Sequence, residues 1–178
     1  DAQPVTDDDE ISRVIPVIDG LVSRLNIPIS IDTRKASVAR AAVRTGAALV
    51  NDVSMIEDPQ MISVISDTDV PIVISHIRKK GHQGEVVNEV IDDLRGAVNE
   101  LRKARVMKSK IIVDPGIGFA KNADESIALL RNIHRLRTEL ELPVMIGTSR
   151  KSFIGSVTDE LVKDRRFGTA ATVAWSVT

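Results

Sequence analysis

The stretch Lys110-Ile111-Ile112-Val113-Asp114-Pro115-Gly116-Ile117-Gly118-Phe119 decides how this chain is read. A short β-branched run ends on a carboxylate, and a glycine-rich turn follows. Asn122, with Glu125 three residues later, then has the spacing of a capping box that opens a helix. The same succession of apolar run, polar residue and helix recurs along the chain. Strands are predicted over Ile27 to Asp32, Ala47 to Val53, Val70 to His76, Lys110 to Asp114 and Leu142 to Gly147. Their continuous rather than alternating apolar character predicts burial on both faces, as in parallel sheets. Consecutive βα units imply right-handed crossovers. Pattern alone fits either a doubly wound sheet or a (β/α)8 TIM barrel. A complete barrel takes ~250 residues, so 178 residues would hold roughly five βα units of an incomplete one.

The helices are signalled as clearly. Thr6 precedes Asp7, Asp8 and Asp9, an N-cap followed by the charges that a helix dipole favours. Apolar residues at Ile11, Val14, Ile15, Ile18, Leu21, Val22 and Leu25 continue that helix, with Pro16 expected to kink it or displace its start. Gly46 suits the end of a helix over Ala36 to Thr45. Asp58-Pro59 reads as an N-cap with proline in the first turn. Val86 to Val106 is predicted helical. The helix opened by Asn122 is predicted to run on through Ile127, Leu130, Ile133 and Leu136. No linker or low-complexity segment intervenes, so residues 1–178 read as a single domain. The chain begins at Asp1 and stops at Thr178 inside an apolar helical pattern, and both ends are expected to be cut.

Composition narrows the partners. With 24 basic and 25 acidic residues, no net field favours nucleic acid or a membrane surface. Aromatic side chains are confined to Phe119, Phe153, Phe167 and Trp175, too few for a base-stacking platform. The absence of cysteine removes disulfides and thiolate metal sites and makes a reducing cytoplasm the expected compartment. No stretch has the apolar length of a membrane span. His76, His82 and His134 form no metal-ligand spacing, and neither GxSxG nor a complete dinucleotide fingerprint occurs.

The functional signal is positional. Asp32, Asn51, His76, Asp114 and Thr148 each fall at or just past a predicted strand end, and in parallel α/β folds that rim binds ligands. Each also has a structural reading. Asp32 and Thr33 can cap the next helix, Asn51-Asp52-Val53-Ser54 can be a hydrogen-bonded turn, and His76 can be a core residue. In Gly147-Thr148-Ser149-Arg150-Lys151-Ser152, Ser149 is a candidate N-cap that would put Arg150 and Lys151 in a first helical turn. Cations oppose the dipole there unless an anion, or a carboxylate such as Asp114, answers them.

Four segments carry a resemblance. Ile31-Asp32-Thr33-Arg34-Lys35, Val50-Asn51-Asp52-Val53-Ser54, Asp114 to Phe119 and Gly147 to Gly155 are similar, in order and spacing, to the motifs of the dihydropteroate synthase family. The resemblance covers essentially the whole chain and implies a TIM barrel. It also implies an enzyme that joins p-aminobenzoate to 6-hydroxymethyl-7,8-dihydropterin pyrophosphate, with sulfonamides competing for the aminobenzoate site. By resemblance, Asp32, Asn51 and Asp114 bind the pterin and Phe119 packs on the aminobenzoate ring. Ser152 receives the aminobenzoate carboxylate, and Lys151 reaches both substrates. Asp32 and Lys151 are the residues it makes catalytic. It further implies Mg2+, whose family ligand has no counterpart in this chain, and a homodimer. The family's opening strand with its Asn-containing loop, its Thr-Arg-Pro loop and its closing Arg-x-His strand are likewise unmatched. Ser75 stands where the family usually has methionine, and Arg78-Lys79-Lys80 follows it. A corrinoid-linked pterin methyltransferase and a non-catalytic pterin-binding paralogue are the rival readings.

Overall fold

The computed structural model describes residues 4–78, 81 and 83–177. These fall into two compact units, the first made of Asp1–Ile74 with Ala97–Ile111 and the second of Ser75–Gly96 with Ile112–Thr178.

Unit 1 opens with α1, Asp7–Val22, capped by Thr6, whose hydroxyl accepts from the Asp9 amide at 3.2 Å. The helix runs through Pro16 without a displaced start, forgoing the hydrogen bond that this proline cannot donate. Three parallel strands follow, β1 (Ser30–Asp32), β2 (Leu49–Asp52) and β3 (Ile72–Ser75). Ile31 lies opposite Val50, Asp32 opposite Asn51, and Asn51 opposite Val73. All three strands are shorter than predicted, and β1 and β3 start late where Pro28 and Pro71 lack the N–H that would extend the ladders. Burial on both faces holds for Ile72, Val73 and Ile74, whereas β1 and β2 alternate. Between the strands lie α2 (Ala36–Thr45) and α3 (Gln60–Thr68). α2 ends as predicted on Gly46 at φ 113°, where a Cβ would meet the Val22 side chain at 3.0 Å. Val38, Ala39 and Ala42 of α2 join Val50, Met61, Val64 and Ile65 in a fully buried apolar core. Each large side chain there is worth ~1.5–3 kcal/mol of burial.

Unit 2 takes up the chain at Ser75. α4, Val86–Lys103, belongs to it as far as Gly96, and β4, Ile111–Asp114, from Ile112 onward. The His76 amide donates to the Asp114 carbonyl at 2.8 Å. The predicted strand over Leu142 to Gly147 shrinks to one parallel bridge, Val113 with Val144. The Pro143 carbonyl accepts from Val113 and the Met145 amide donates to the Val113 carbonyl, but Pro143 has no N–H to extend the ladder toward its N-terminal side. The capping box at Asn122 forms in full and opens α5, Ala123–Arg131. The predicted single helix then breaks at Asn132, whose side-chain amide bonds the Ala128 carbonyl at 2.8 Å, and α6 restarts over Ile133–Leu140. That local bond competes with continued helix. α7 (Ser152–Thr158) and α8 (Arg166–Ser176) complete the unit. Among the described residues no helix is long and apolar enough to cross a membrane.

Candidate functional site

In unit 1 the ends of β1 and β2 bring Asp32 and Asn51 together. Asn51 Nδ2 donates to Asp32 Oδ2 at 2.9 Å. Asp32 is exposed and does not cap α2. That task falls to Asp58, which accepts from the Ala36 amide at 2.8 Å and from the Gln60 amide at 3.0 Å, serving two helix starts with one carboxylate. The capping reading of Asp32 is thereby corrected, because a residue 22 positions downstream already satisfies the first amide of α2. The Thr33 hydroxyl donates to Glu10 at 2.6 Å and accepts from the amide of Lys35, the residue before α2, at 3.3 Å.

The turn reading of the next motif is right for two residues. Buried Asp52 accepts from the Ser54 amide and hydroxyl and from the Ile56 amide. It thereby holds Met55 and Ile56 at φ 58° and 60°, a conformation that costs a β-branched residue free energy. Asn51 remains over. Its Oδ1 is a buried acceptor without a hydrogen-bond partner, an arrangement folded proteins rarely leave standing. Beside Asp32 a cleft of about 550 Å³ is lined by Val5, Glu10, Thr33, Lys35 and Glu57.

Unit 2 gathers Asp114, Phe119 and Lys151. Asp114 is 5 % exposed; its Oδ1 accepts from the Gly116 amide at 2.7 Å and its Oδ2 faces the Ser75 hydroxyl at 3.4 Å. Burial raises its pKa above the ordinary 3.8, and the Gly116 N–H, the Lys151 charge, the Ser75 hydroxyl and the Lys121 charge pull it back. Gly116 at φ 67° cannot be replaced, since a Cβ would fall 1.9 Å from the His76 carbonyl oxygen. The Lys151 ammonium bonds the Ile117 carbonyl and sits 4.5 Å from the centre of the Phe119 ring. Desolvation lowers the Lys151 pKa and Asp114 offsets part of that.

Two expectations about the Lys151 segment need correction. α7 is capped at Lys151, not Ser149, so Arg150 and Lys151 precede the helix rather than occupy its first turn. Arg150 is held at φ 53° by the Thr169 hydroxyl on its amide and Arg165 on its carbonyl, contacts that sequence spacing does not reveal. The conflict with the dipole therefore does not arise in the form expected. Ser152 opens α7 and is exposed. Thr148 is buried and accepts from Thr172 at 2.9 Å.

His76 and Lys121 form a cluster that the sequence did not single out as a unit. His76 is fully buried. Lys121 Nζ lies 2.9 Å from His76 Nδ1, 3.1 Å from the Gly116 carbonyl, 3.2 Å from that of Phe119 and 3.3 Å from that of His76. An ammonium only donates, so Nδ1 accepts and Nε2 carries the proton toward Asp93 at 3.1 Å. Asp93 in turn pairs with Arg78, which also binds Glu89. Burial lowers the Lys121 pKa to about 8, against the pull of Asp114 and Glu125. The only sequence signal for this cluster was a lysine one turn past a glycine-rich loop. Arg78 belongs to these ion pairs; Lys79, Lys80 and His82 lie outside the described residues.

The family model for pterin binding enzymes matches residues 1–178. The chain belongs to the pterin-binding enzyme family. Among family members, the dihydropteroate synthase of Bacillus subtilis (strain 168) is 41 % identical over 177 residues, covering 99 % of this chain and 62 % of its own length. The Xanthomonas albilineans dihydropteroate synthase in complex with 7,8-dihydropteroate superposes with a TM-score of 0.91 at 38 % identity, over 97 % of this chain and 65 % of that one. The same enzyme with 4-aminobenzoic acid gives 0.93 at 37 % identity, over 98 % and 64 %. The chain thus spans less than two thirds of the length of these relatives. Its fold class is that of the pterin-binding barrels, α/β with parallel strands, a part of the TIM barrel that the four motifs implied. Among the described residues no three His, Asp or Glu side chains converge as a metal site.

Proposed function

We propose that this chain is part of a dihydropteroate synthase, a single pterin-binding barrel domain that forms a C–N bond between p-aminobenzoate and a dihydropterin. The amine nitrogen attacks the pterin methylene carbon, the C–O bond to pyrophosphate breaks with its electron pair, and the amine loses a proton. An aniline nitrogen is nucleophilic without prior deprotonation, so the residues need chiefly to hold and orient the two substrates. Recognition is assigned to Asp32 and Asn51 in unit 1 and to Asp114 in unit 2. Lys151 and Phe119 serve the aminobenzoate side, with Ser152 at its carboxylate, and Asp32 and Lys151 carry the catalytic roles. The homodimer, the cytoplasmic location and sulfonamide binding belong to the same proposal.

The observation that carries it is the orphaned Asn51 Oδ1 beside the exposed Asp32 carboxylate. Both are acceptors, and an aminopyrimidinone ring edge presents N–H donors. A carboxylate accepts two such bonds in parallel. Ser75, which stands where the family usually has methionine, carries a hydroxyl directed at Asp114 and leaves that acid equipped to bind. Isothermal titration with a 7,8-dihydropterin pyrophosphate analogue tests the reading. Binding is expected, and Asp114→Asn should weaken it about 100-fold, the loss of charge-assisted bonds. A folded chain that binds no pterin, or binds it equally after the substitution, overturns the proposal.

A further inference from the structure

Ser75 is the last residue of β3, 2 % exposed, and stands where the resemblance places a methionine. A buried hydroxyl must use its proton. For Ser75 Oγ the partner is Asp114 Oδ2 at 3.4 Å, the long end of hydrogen-bond range. The other carboxylate oxygen, Oδ1, is already claimed by the Gly116 amide. With a donor on each oxygen the carboxylate is held against rotation, and each oxygen keeps lone-pair capacity for a ligand. We propose that Ser75 is a positioning residue for pterin recognition, donating to Asp114 Oδ2 so that the carboxylate stays oriented and ionised for the N–H donors of the pterin ring.

This inference rests on the reading of Asp114 as a pterin acceptor. A methionine at position 75 offers no donor, so the serine adds a polar constraint that a methionine would not supply. The charged groups that face Asp114 within the unit are Lys151, from the segment before α7, and Lys121, from the loop after β4; the backbone N–H groups of Gly116 and His76 also point at this residue. The hydroxyl acts in the same sense as the two lysines, favouring the ionised acid.

The test compares wild type with Ser75→Ala, Ser75→Met and Ser75→Thr. Two readouts are taken from pH 3.5 to 7: affinity for a 7,8-dihydropterin analogue, and the Asp114 carboxyl titration in the ligand-free chain by carbon NMR. Alanine and methionine should weaken binding about tenfold at pH 7, the loss of one hydrogen bond to a charged group. They should also move the Asp114 titration midpoint to higher pH, and threonine should restore both. An unmoved midpoint in Ser75→Ala, or threonine behaving like alanine, overturns the inference. If wild type binds no pterin, the functional reading fails on its own, while the ligand-free titration still decides whether Ser75 governs Asp114.

Discussion

The two units use the same kind of group, an aspartate at the end of a parallel strand, in opposite ways. Asp32 in unit 1 is exposed, bonded to one amide, and relieved of capping by Asp58. Asp114 in unit 2 is buried under two donors and two lysine charges, in a loop that must pass through positive φ at Gly116 and Gly118. A solvated carboxylate needs little support to remain charged. A desolvated one needs donors and countercharge, and the surrounding structure has to be built for them. A carboxylate whose orientation matters is thus expected to come with an irregular backbone and a buried cation, and in unit 2 both are present.

This contrast can be broken. Gly116→Ala should have the largest effect, because a left-handed φ and a backbone clash with the His76 carbonyl coincide. A loss of at least ~3 kcal/mol is expected in urea unfolding. A near-neutral result would mean that the Asp114 loop is as compliant as the Asp32 end.

Next in size is a pH effect from Lys121. Its pKa falls from 10.5 in the unfolded chain to about 8 in the folded one. Between those values the unfolded state binds more protons, so stability should rise as pH increases from about 8 toward 10.5, by on the order of 2 kcal/mol. Below about 8 the contribution is flat, since both states are protonated. Lys121→Met should remove the rise; urea midpoints across that range that still climb in the variant would assign the effect to another group.

The smallest expected stability change sharpens the other side. Asn51→Leu removes an acceptor that nothing satisfies and one bond to the solvated Asp32 carboxylate, which water can replace, so stability should stay within ~1 kcal/mol. Pterin-analogue affinity should nonetheless fall about tenfold. A stability loss comparable to that of Gly116→Ala would show that the Asp32–Asn51 pair holds the fold rather than a ligand.

Local chemistry made much of this legible in advance. Thr6, Gly46 and the Asn122–Glu125 box act within four residues of themselves, and each does in the structure what its spacing predicts. Strand ends at Asp32 and Asp114 were likewise readable, since β-branched runs stop where polar and glycine residues begin. Tertiary structure alone decided the rest. Asp58 capping α2 from 22 residues away, Lys121 meeting His76 across 45, and Thr169 locking Arg150 across 19 leave no periodic trace, because their partners are set by how elements pack. The break at Asn132 and the collapse of the Leu142 to Gly147 strand fall between these cases. Asn132 and Pro143 were visible as residues, but their effect depended on which carbonyl and which neighbouring strand the fold supplied. Sequence thus determined where chemistry-bearing residues stand along the chain. Folding determined which carboxylates are solvated, which are buried, and what each must be bonded to, because desolvation and long-range hydrogen bonds exist only once the chain is packed.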